Sequence, residues 1–286
     1  MTSWRKAMGL RINTNTASLN TQYQLQNSHK SISRSMERLS SGSRINRSAD
    51  DAAGLAISEK MRANIRGLKQ ADRNAQDGIS FTQVAEGSLS QIANILVRLR
   101  ELSIQAASDT VTDKDRKIIS LEYNQMLQEI DRVAGMTEYN GTKLLSGIGD
   151  KIDFQINTKN SDDMDRVSFD PGRADMSTIA LGINGIGADD KVSAQQSLEM
   201  LDGAISNVSE LRASFGSIQS RLISATENIM SNLENISAAN SRIKDTDIAE
   251  ESTELAKKNM MLQAGTSILA QANQQPGQAL SLLTKG

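Results

Sequence analysis

Mostly apolar residues recur every seven positions along two long stretches of the sequence that contain no proline. A heptad repeat places such residues on one side of a helix, where they are buried only if another helix packs against them. Two long, paired helices are therefore the central prediction. The repeat positions are Ile57, Asn64, Ala71, Gly78, Ala85, Ile92, Leu99 and Ala106 in the first stretch, and Ala194, Leu201, Val208, Phe215, Leu222, Ile229, Ile236 and Ile243 in the second.

The composition favours paired helices over a conventional globular core. Aromatic residues make up only 3% of the 286 residues, which leaves little bulky apolar material for a core of that size. The sequence has no cysteine, so disulfides and thiolate metal sites are excluded. We therefore expect a mainly α fold.

Motifs of enzymes and of metal sites are poorly represented. The single histidine, His29, lies among heptad residues, where a half-exposed position on a helix is the ordinary explanation. Neither a phosphate-binding GxxxxGK loop nor a zinc-binding HExxH motif occurs. The acidic stretch SDDMDRVSFD lacks the glycine of a calcium loop. We expect no enzymatic activity, no cofactor and no metal.

The charge of the N-terminal region and the hydropathy of the sequence limit the classes of partner that we expect. The first 47 residues carry eight Lys or Arg and one acidic residue, yet Tyr23 is the single aromatic residue between Trp4 and Phe81. Without aromatic residues for base stacking, we expect no nucleic acid partner. No stretch reaches the roughly 18 apolar residues of a membrane span, and the start MTSWRKAMGLRINTNT lacks the apolar core of a secretory signal.

The middle of the chain changes character between residues 139 and 190. The segment KIDFQIN alternates apolar and polar residues, as a half-buried strand does, and YNGTKLLSG offers an Asn-Gly turn. This pattern predicts a small β-hairpin region inserted between helices.

Shorter heptad runs lie near the two chain ends. Each run is separated from the central heptads by a break in register, one at residues 40–42 and one between Ile243 and Ile248. Two breaks, one near each end, indicate a joint between a terminal pair of helices and a central bundle. The terminal heptad residues are Leu25, Ile32 and Leu39 near the N-terminus and Leu255, Leu262 and Leu269 near the C-terminus.

The stretch SSGSRINRSADDAAGLAISEK at residues 40–60 is either a phosphate or metal site or a joint between helices. Gly42 can end a helix in the left-handed conformation, and Ser48 or Asp50 can cap the next helix. This interpretation uses Asp50 and Asp51 without a metal. If the terminal segments pair antiparallel, four basic residues should face an acidic cluster. They are Arg34, Arg38, Arg44 and Arg47, opposite Asp245, Asp247, Glu250, Glu251 and Glu254.

Five segments together resemble bacterial flagellin. They are LSSGSRINRSADDAAGLAISEKMR, INTNTASLNTQ, RLRELSIQAAS, EIDRVAGMTEYNGTKLL and the C-terminal SRIKDTDIAEES with QAGTSILAQANQQPGQALSLL. The resemblance covers roughly residues 8–150 and 195–284, and residues 1–7 resemble an extension. It implies a structural subunit that polymerises into the extracellular filament of the bacterial flagellum, for motility. A flagellin-like hook–filament junction protein is the alternative.

The resemblance also implies a domain organisation. Residues 1–44 and 244–286 would form D0, a terminal coiled coil, and residues 45–243 would form D1, a helical rod. D0 would assemble the subunits through Leu25, Ile32, Leu39, Leu255, Leu262 and Leu269. The joint between D0 and D1 would consist of Gly42, Arg44, Asn46, Asp50 and Asp51.

Several partners follow from the same resemblance. Further copies of the chain come first, followed by a flagellar export chaperone that masks residues 245–286, and by hook-associated and cap proteins. Export would use the flagellar type III channel. In many flagellins Toll-like receptor 5 binds the D1 surface at positions that match Arg98, Leu102 and Glu122 here. The same strip would primarily pack against the next subunit.

Overall fold

The computed structural model describes residues 14–284, except for the side chains of residues 162–163 and 278–284. The predicted extension, residues 1–7, lies outside the described residues. Helices dominate the described part of the chain, in agreement with the predicted fold class. They are α1 (Thr16–Ser41), α2 (Ala52–Ala106), α3 (Asp113–Met136), α4 (Asp162–Asp165), α5 (Lys191–Lys244) and α6 (Ile248–Thr284).

The chain divides into two compact units. A terminal unit contains the residues up to 62 together with those from 237 onward, and a central unit contains residues 63–236. The long helices α2 and α5 contribute residues to both units. The boundary predicted after residue 44 lies a few residues beyond the end of α1, and as a boundary between D0 and D1 it stays a prediction.

The central unit is built on α2 and α5, which run antiparallel. Ion pairs join Glu86 to Arg212 and Arg100 to Asp202, so residue numbers rise along one helix as they fall along the other. The two predicted heptad seams meet in the core of this unit, except that the first two positions of the α2 seam, Ile57 and Asn64, are exposed. Buried seam residues include Ala85, Ile92, Leu99 and Ala106 from α2 and Ala194, Leu201, Val208, Phe215 and Leu222 from α5.

Helix α3 folds back along the C-terminal part of α2 and completes the helical core. Arg98 of α2 pairs with Glu122 of α3, and Nε of the buried Arg116 donates to the carbonyl oxygen of Ala106 at the end of α2. Tyr123 and Ile130 from α3 are fully buried in the same core as the α2 and α5 seams. Three helices thus share one continuous apolar interior.

Four short strands form the β region predicted in the middle of the chain. They are β1 (Glu138–Tyr139), β2 (Thr142–Lys143), β3 (Ile152–Gln155) and β4 (Arg166–Phe169).

The strands pair antiparallel, β1 with β2 and β3 with β4. The β1–β2 turn is Asn140-Gly141 with φ of 50° and 79°, the left-handed geometry that this dipeptide favours. Phe81 of α2 packs edge-on against Tyr139, Phe154 and Phe169, with ring centroids 5.8, 5.3 and 5.5 Å away. These aromatic contacts fix the strands to the helical core.

Candidate assembly site

Helices α1 and α6 pair antiparallel in the terminal unit, as the heptad runs near the chain ends predict. At one end of the pair, Asn15 Nδ2 donates to the Ala272 carbonyl oxygen over 2.8 Å. At the other end, Arg38 Nη1 lies 3.4 Å from Glu251 Oε2. Between them, Gly265 of α6 faces the side chain of Leu25.

Small side chains make up the buried part of this pair. Among the side chains of α1 and α6 that the structure describes, the buried ones are Ser18, Ser35 and Ala272. The six predicted assembly residues are only half-buried, because two helices alone cannot enclose a large side chain. Those six are Leu25, Ile32, Leu39, Leu255, Leu262 and Leu269.

Large apolar side chains lie exposed on both helices of the pair. Tyr23 is 61% exposed on α1 and Met260 is 64% exposed on α6. Leu19, Met36 and Ile268 are more than half exposed as well. Single exposed apolar residues are ordinary on a protein surface. Among the described side chains of this helix pair almost no large apolar one is buried, so most of their apolar surface remains exposed.

Gly42 ends α1 in the left-handed conformation, with φ of 68°, as predicted. The chain then forms a bridge to the last residue of α5 and the segment after it: Thr246 N donates to the Gly42 carbonyl oxygen over 3.0 Å, and Arg44 N donates to the Lys244 carbonyl oxygen over 2.6 Å. The Arg44 guanidinium donates to the Ile243 carbonyl oxygen over 2.7 Å. A cation at these carbonyls, which carry the negative end of the helix dipole, stabilises the end of α5.

The two adjacent aspartates accept hydrogen bonds from backbone N–H groups, Asp50 from residues that precede it in sequence and Asp51 from a residue that follows it. Asp50 Oδ2 accepts from the amides of Asn46 and Arg47 over 3.3 and 3.0 Å, while Asp51 Oδ1 accepts from Gly54 N over 2.8 Å and caps α2. The bond from the Arg47 amide is the largest cause that lowers the pKa of Asp50 below its usual value. Asp51 rather than Ser48 or Asp50 is therefore the capping residue.

The structure thus favours the joint over a phosphate or metal site for residues 40–60. Both carboxylates are engaged by the backbone around them. Within the described residues, no three acidic or histidine side chains cluster in a way that could hold a metal ion. Nor is any described helix long and apolar enough to cross a membrane.

The predicted facing of four arginines and an acidic cluster is only partly correct. Arg38 pairs with Glu251 of that cluster, but Arg44 binds a backbone carbonyl and Arg47 pairs with Glu37 of α1 at 3.0 Å. Two of the acidic residues bind other groups. Asp247 caps α6 by accepting from the amides of residues 249 and 250, and Glu254 pairs with a lysine of its own helix. Arg47, Asp247 and Glu254 thus bind groups close to them in sequence. Arg38 and Arg44 bind groups far along the chain.

Arg98 and Glu122 meet on the surface of the central unit. Arg98 Nη2 lies 3.0 Å from Glu122 and its Nη1 lies 2.9 Å from Glu101, and these hydrogen bonds raise the pKa of Arg98. Leu102 does not belong to this strip, because it is 1% exposed and packs in the core. It lies on the α2 face that meets α5 and α3, so a binding partner would contact Arg98 and Glu122 without it.

Two residues of the joint were not singled out from the sequence, Ile45 and Gly54. Ile45 is almost fully buried, and a Cβ on Gly54 would lie 2.8 Å from Ile45 Cδ1 and would also overlap the Asp51 carboxylate. Glycine in the first turn of a helix, between strong helix formers, was the available signal of such a close approach. The glycine lets the joint close over Ile45.

Protein-family comparisons match most of the chain. Residues 12–150 match the model of the bacterial flagellin N-terminal helical region, and residues 198–283 match that of the C-terminal helical region. The unmatched segment between them contains β3, β4 and the start of α5.

Curated proteins agree with this match. The flagellin of Halalkalibacterium halodurans is 43% identical over 250 residues, which are 87% of this chain and 91% of that protein. The flagellar filament 33 kDa core protein of Treponema phagedenis is 40% identical and covers 95% and 99% of the two chains. Bacillus cereus flagellin, a crystal structure, is 32% identical and covers 59% of this chain and 94% of that one, with a TM-score of 0.49.

Proposed function

Because the chain belongs to the bacterial flagellin family and is a structural subunit of the flagellar filament, we propose that its α1–α6 pair forms the contacts that hold one subunit to the next. The observation that carries this proposal is the burial in the pair, where Ser18, Ser35 and Ala272 are buried and the leucines are half-buried. Further copies would cover the remaining apolar surface.

The proposed contact between subunits is heterologous, which means that it joins two different patches on the two copies. The surface is formed by α1 and α6 of the terminal unit, and a copy that binds through two different patches leaves one patch free for the next copy. Such heterologous contacts that do not close into a ring produce a helical polymer. The Leu and Ile residues at positions 25, 32, 39, 255, 262 and 269 would be shared between neighbours.

The terminal pair would become ordered on assembly. Helix pairs without a third element to pack on are marginally stable in water, because most helical stability comes from tertiary packing of the apolar face. In our proposal, residues 1–44 and 244–286 act as D0 and gain their stability from adjacent copies, whereas residues 45–243 act as D1. The joint of Gly42, Arg44, Asn46, Asp50 and Asp51 would then hold the chain direction between the two.

Hydrogen exchange tests this proposal directly. Purified subunits and filaments grown from seeds would be compared by mass spectrometry. We expect amides of α1 and α6 to exchange rapidly in the subunit and slowly in the filament, while amides of α2 and α5 within residues 63–236 are protected in both. Protection of α1 and α6 in a soluble subunit that seeds do not convert to polymer would contradict the proposal.

The filament would lie outside the cell, and the chain would reach it through the flagellar export channel. A chaperone that masks residues 245–286 would bind the apolar face of α6 before export, with Met261, Leu262 and Leu269 as a helix-in-groove ligand. Cap and hook-associated proteins would meet the same terminal helices at the filament ends. The exposed Met260 and Ile268 support this part of the proposal.

The exposed Arg98–Glu122 pair supports a second role for the central unit, as a contact strip. Its first partner would be the neighbouring subunit, and Toll-like receptor 5 would bind the same strip on free subunits. Glu122→Ala should weaken receptor activation in a reporter-cell assay, whereas Asp202→Ala, which breaks the similar Arg100 pair elsewhere on the unit, should not. Equal responses from both variants would show that the receptor does not contact the Arg98–Glu122 strip.

A further inference from the structure

Contacts along the terminal pair define one register between α1 and α6. Ser18 Oγ donates to Asn273 Oδ1 over 2.8 Å, Leu25 faces Gly265, and Arg38 pairs with Glu251. In this register two rows of residues spaced by seven run side by side. They are Ser18, Leu25, Ile32 and Leu39 on α1, and Ala272, Gly265, Lys258 and Glu251 on α6.

Gly265 is the position in its row that has no side chain. A Cβ built there would lie 2.7 Å from Leu25 Cδ2 and 3.3 Å from Leu25 Cγ, which is closer than carbon atoms pack without one of them moving. Leu25 therefore occupies space that any other residue at position 265 would need. At the next step of the row, the small Ser18 lies beside the small Ala272, and both are buried.

A slip of one heptad would lose this match. Leu25 would then lie opposite Lys258 or Ala272, each of which carries a side chain where Gly265 has none. The same slip would separate Ser18 from Asn273 and Arg38 from Glu251. Heptad seams by themselves tolerate such slips, because every position seven residues along presents a similar surface.

We propose that Leu25 and Gly265 form a register lock: the leucine fits over the glycine in one alignment of α1 and α6, and this alignment is the one that polymerises. The lock rests on the proposed role of the terminal pair in assembly and assigns specificity within it. Gly265 acts by admitting Leu25, and Leu25 acts by filling the gap. The apolar leucines at other heptad positions supply contact without selecting the register.

An exchange of volumes tests the lock. Gly265→Leu should raise the critical concentration for seeded polymerisation at least about tenfold, because overpacking a close contact is destabilising. Leu25→Ala combined with Gly265→Leu should bring it most of the way back. Gly87→Leu is the matched control, since a Cβ at Gly87, an exposed position of α2 in the central unit, meets nothing within 4 Å, and it should polymerise like the parent protein.

A second readout follows pairing without polymerisation. Ser18→Cys and Asn273→Cys, in a chain that has no cysteine of its own, would be joined by a short thiol cross-linker. We expect the cross-link yield to fall with Gly265→Leu and to recover with the added Leu25→Ala. Cross-linking captures subunits in which α1 and α6 are transiently paired, so the readout works in soluble protein even though we expect both helices to exchange rapidly there. Failure of the parent subunit to polymerise would count against the proposed function alone.

Three results would overturn the lock. The first is normal polymerisation of Gly265→Leu. The second is a polymerisation defect that Leu25→Ala does not relieve, which would place the clash with another subunit. The third is a cross-link yield that does not depend on the residue at position 265.

Discussion

The central unit and the terminal pair have the same heptad repeat of apolar residues but bury different kinds of side chain. In the central unit Leu89, Leu96, Leu201 and Phe215 are almost completely enclosed, because α2, α3, α5 and the strands surround them. Among the described side chains of the terminal pair, the enclosed residues are serines and an alanine, and the leucines remain half-buried. Seven-residue periodicity therefore predicts which face of a helix is apolar, and the number of neighbouring elements decides whether that face is buried.

This difference separates stability from assembly. A large buried side chain contributes about 1.5–3 kcal/mol relative to an exposed one, so the central unit holds most of the free energy of folding of the subunit. The terminal pair has comparable apolar residues, and in our proposal further copies bury them. We therefore expect substitutions in the two regions to affect different measurements.

Removal of a chain end should have the largest effect. Deletion of residues 1–43 or of residues 258–286 removes one helix of the terminal pair, or most of one. We expect a soluble subunit with the helical circular dichroism of the central unit and no filaments under seeding conditions. Filaments of normal length from either truncated protein would contradict the division of labour between the two regions.

Leucine truncations compare the two regions residue for residue. Leu201→Ala opens a cavity in the central core and should lower the free energy of unfolding of the subunit by about 2–5 kcal/mol. Leu262→Ala removes a half-buried side chain of α6 and should change the unfolding of the soluble subunit far less, yet reduce polymerisation. Chemical denaturation and seeded growth would measure the two effects. Equal losses in unfolding free energy would show that the terminal pair is already packed in the subunit.

The helix cap at the joint should have an intermediate effect. Asp51→Ala removes the acceptor for Gly54 N and should destabilise the start of α2 by about 0.5–2 kcal/mol. Asp51→Asn keeps an acceptor and serves as the matched control. Hydrogen exchange of the amides at residues 52–55 would report the change. If both variants exchanged alike, the carboxylate would have another role in the joint.

Acid should weaken the joint only at low pH. The ionised Asp50 accepts two backbone N–H bonds, which lowers the pKa of its carboxyl in the folded state. This stabilisation is complete above the ordinary value of about 3.9 and is lost as the pH falls through the lowered pKa. A carbon-13 titration of Asp50 should give a midpoint below that of a peptide spanning residues 44–52. A midpoint at or above the peptide value would contradict the observed bonds.

The smallest effect on stability should come from the surface strip. Glu122→Gln leaves Arg98 paired with Glu101, and exposed ion pairs contribute little to folding. We expect no measurable change in thermal unfolding, in contrast to the effect of the same position on partner binding. A clear drop in the melting temperature would show that the Arg98–Glu122 pair stabilises the folded subunit.

Much of the fold could be predicted from local sequence patterns. The heptads predicted α2 and α5 and most of their buried faces, Asn140-Gly141 predicted the hairpin turn, and Gly42 predicted the end of α1, because each of these features depends on residues close in sequence. Long motifs also identified the family, which the comparisons confirm. Periodicity and turn chemistry are sufficient for such features.

Other features depended on residues far apart in the chain. The placement of Leu102 in the core rather than on the strip and the fit of Leu25 against Gly265 are set by close packing. The sequence by itself determined that this chain forms long helices with apolar seams at both its centre and its ends. The tertiary structure alone decided which seams are enclosed, because burial depends on how many elements surround a side chain in space.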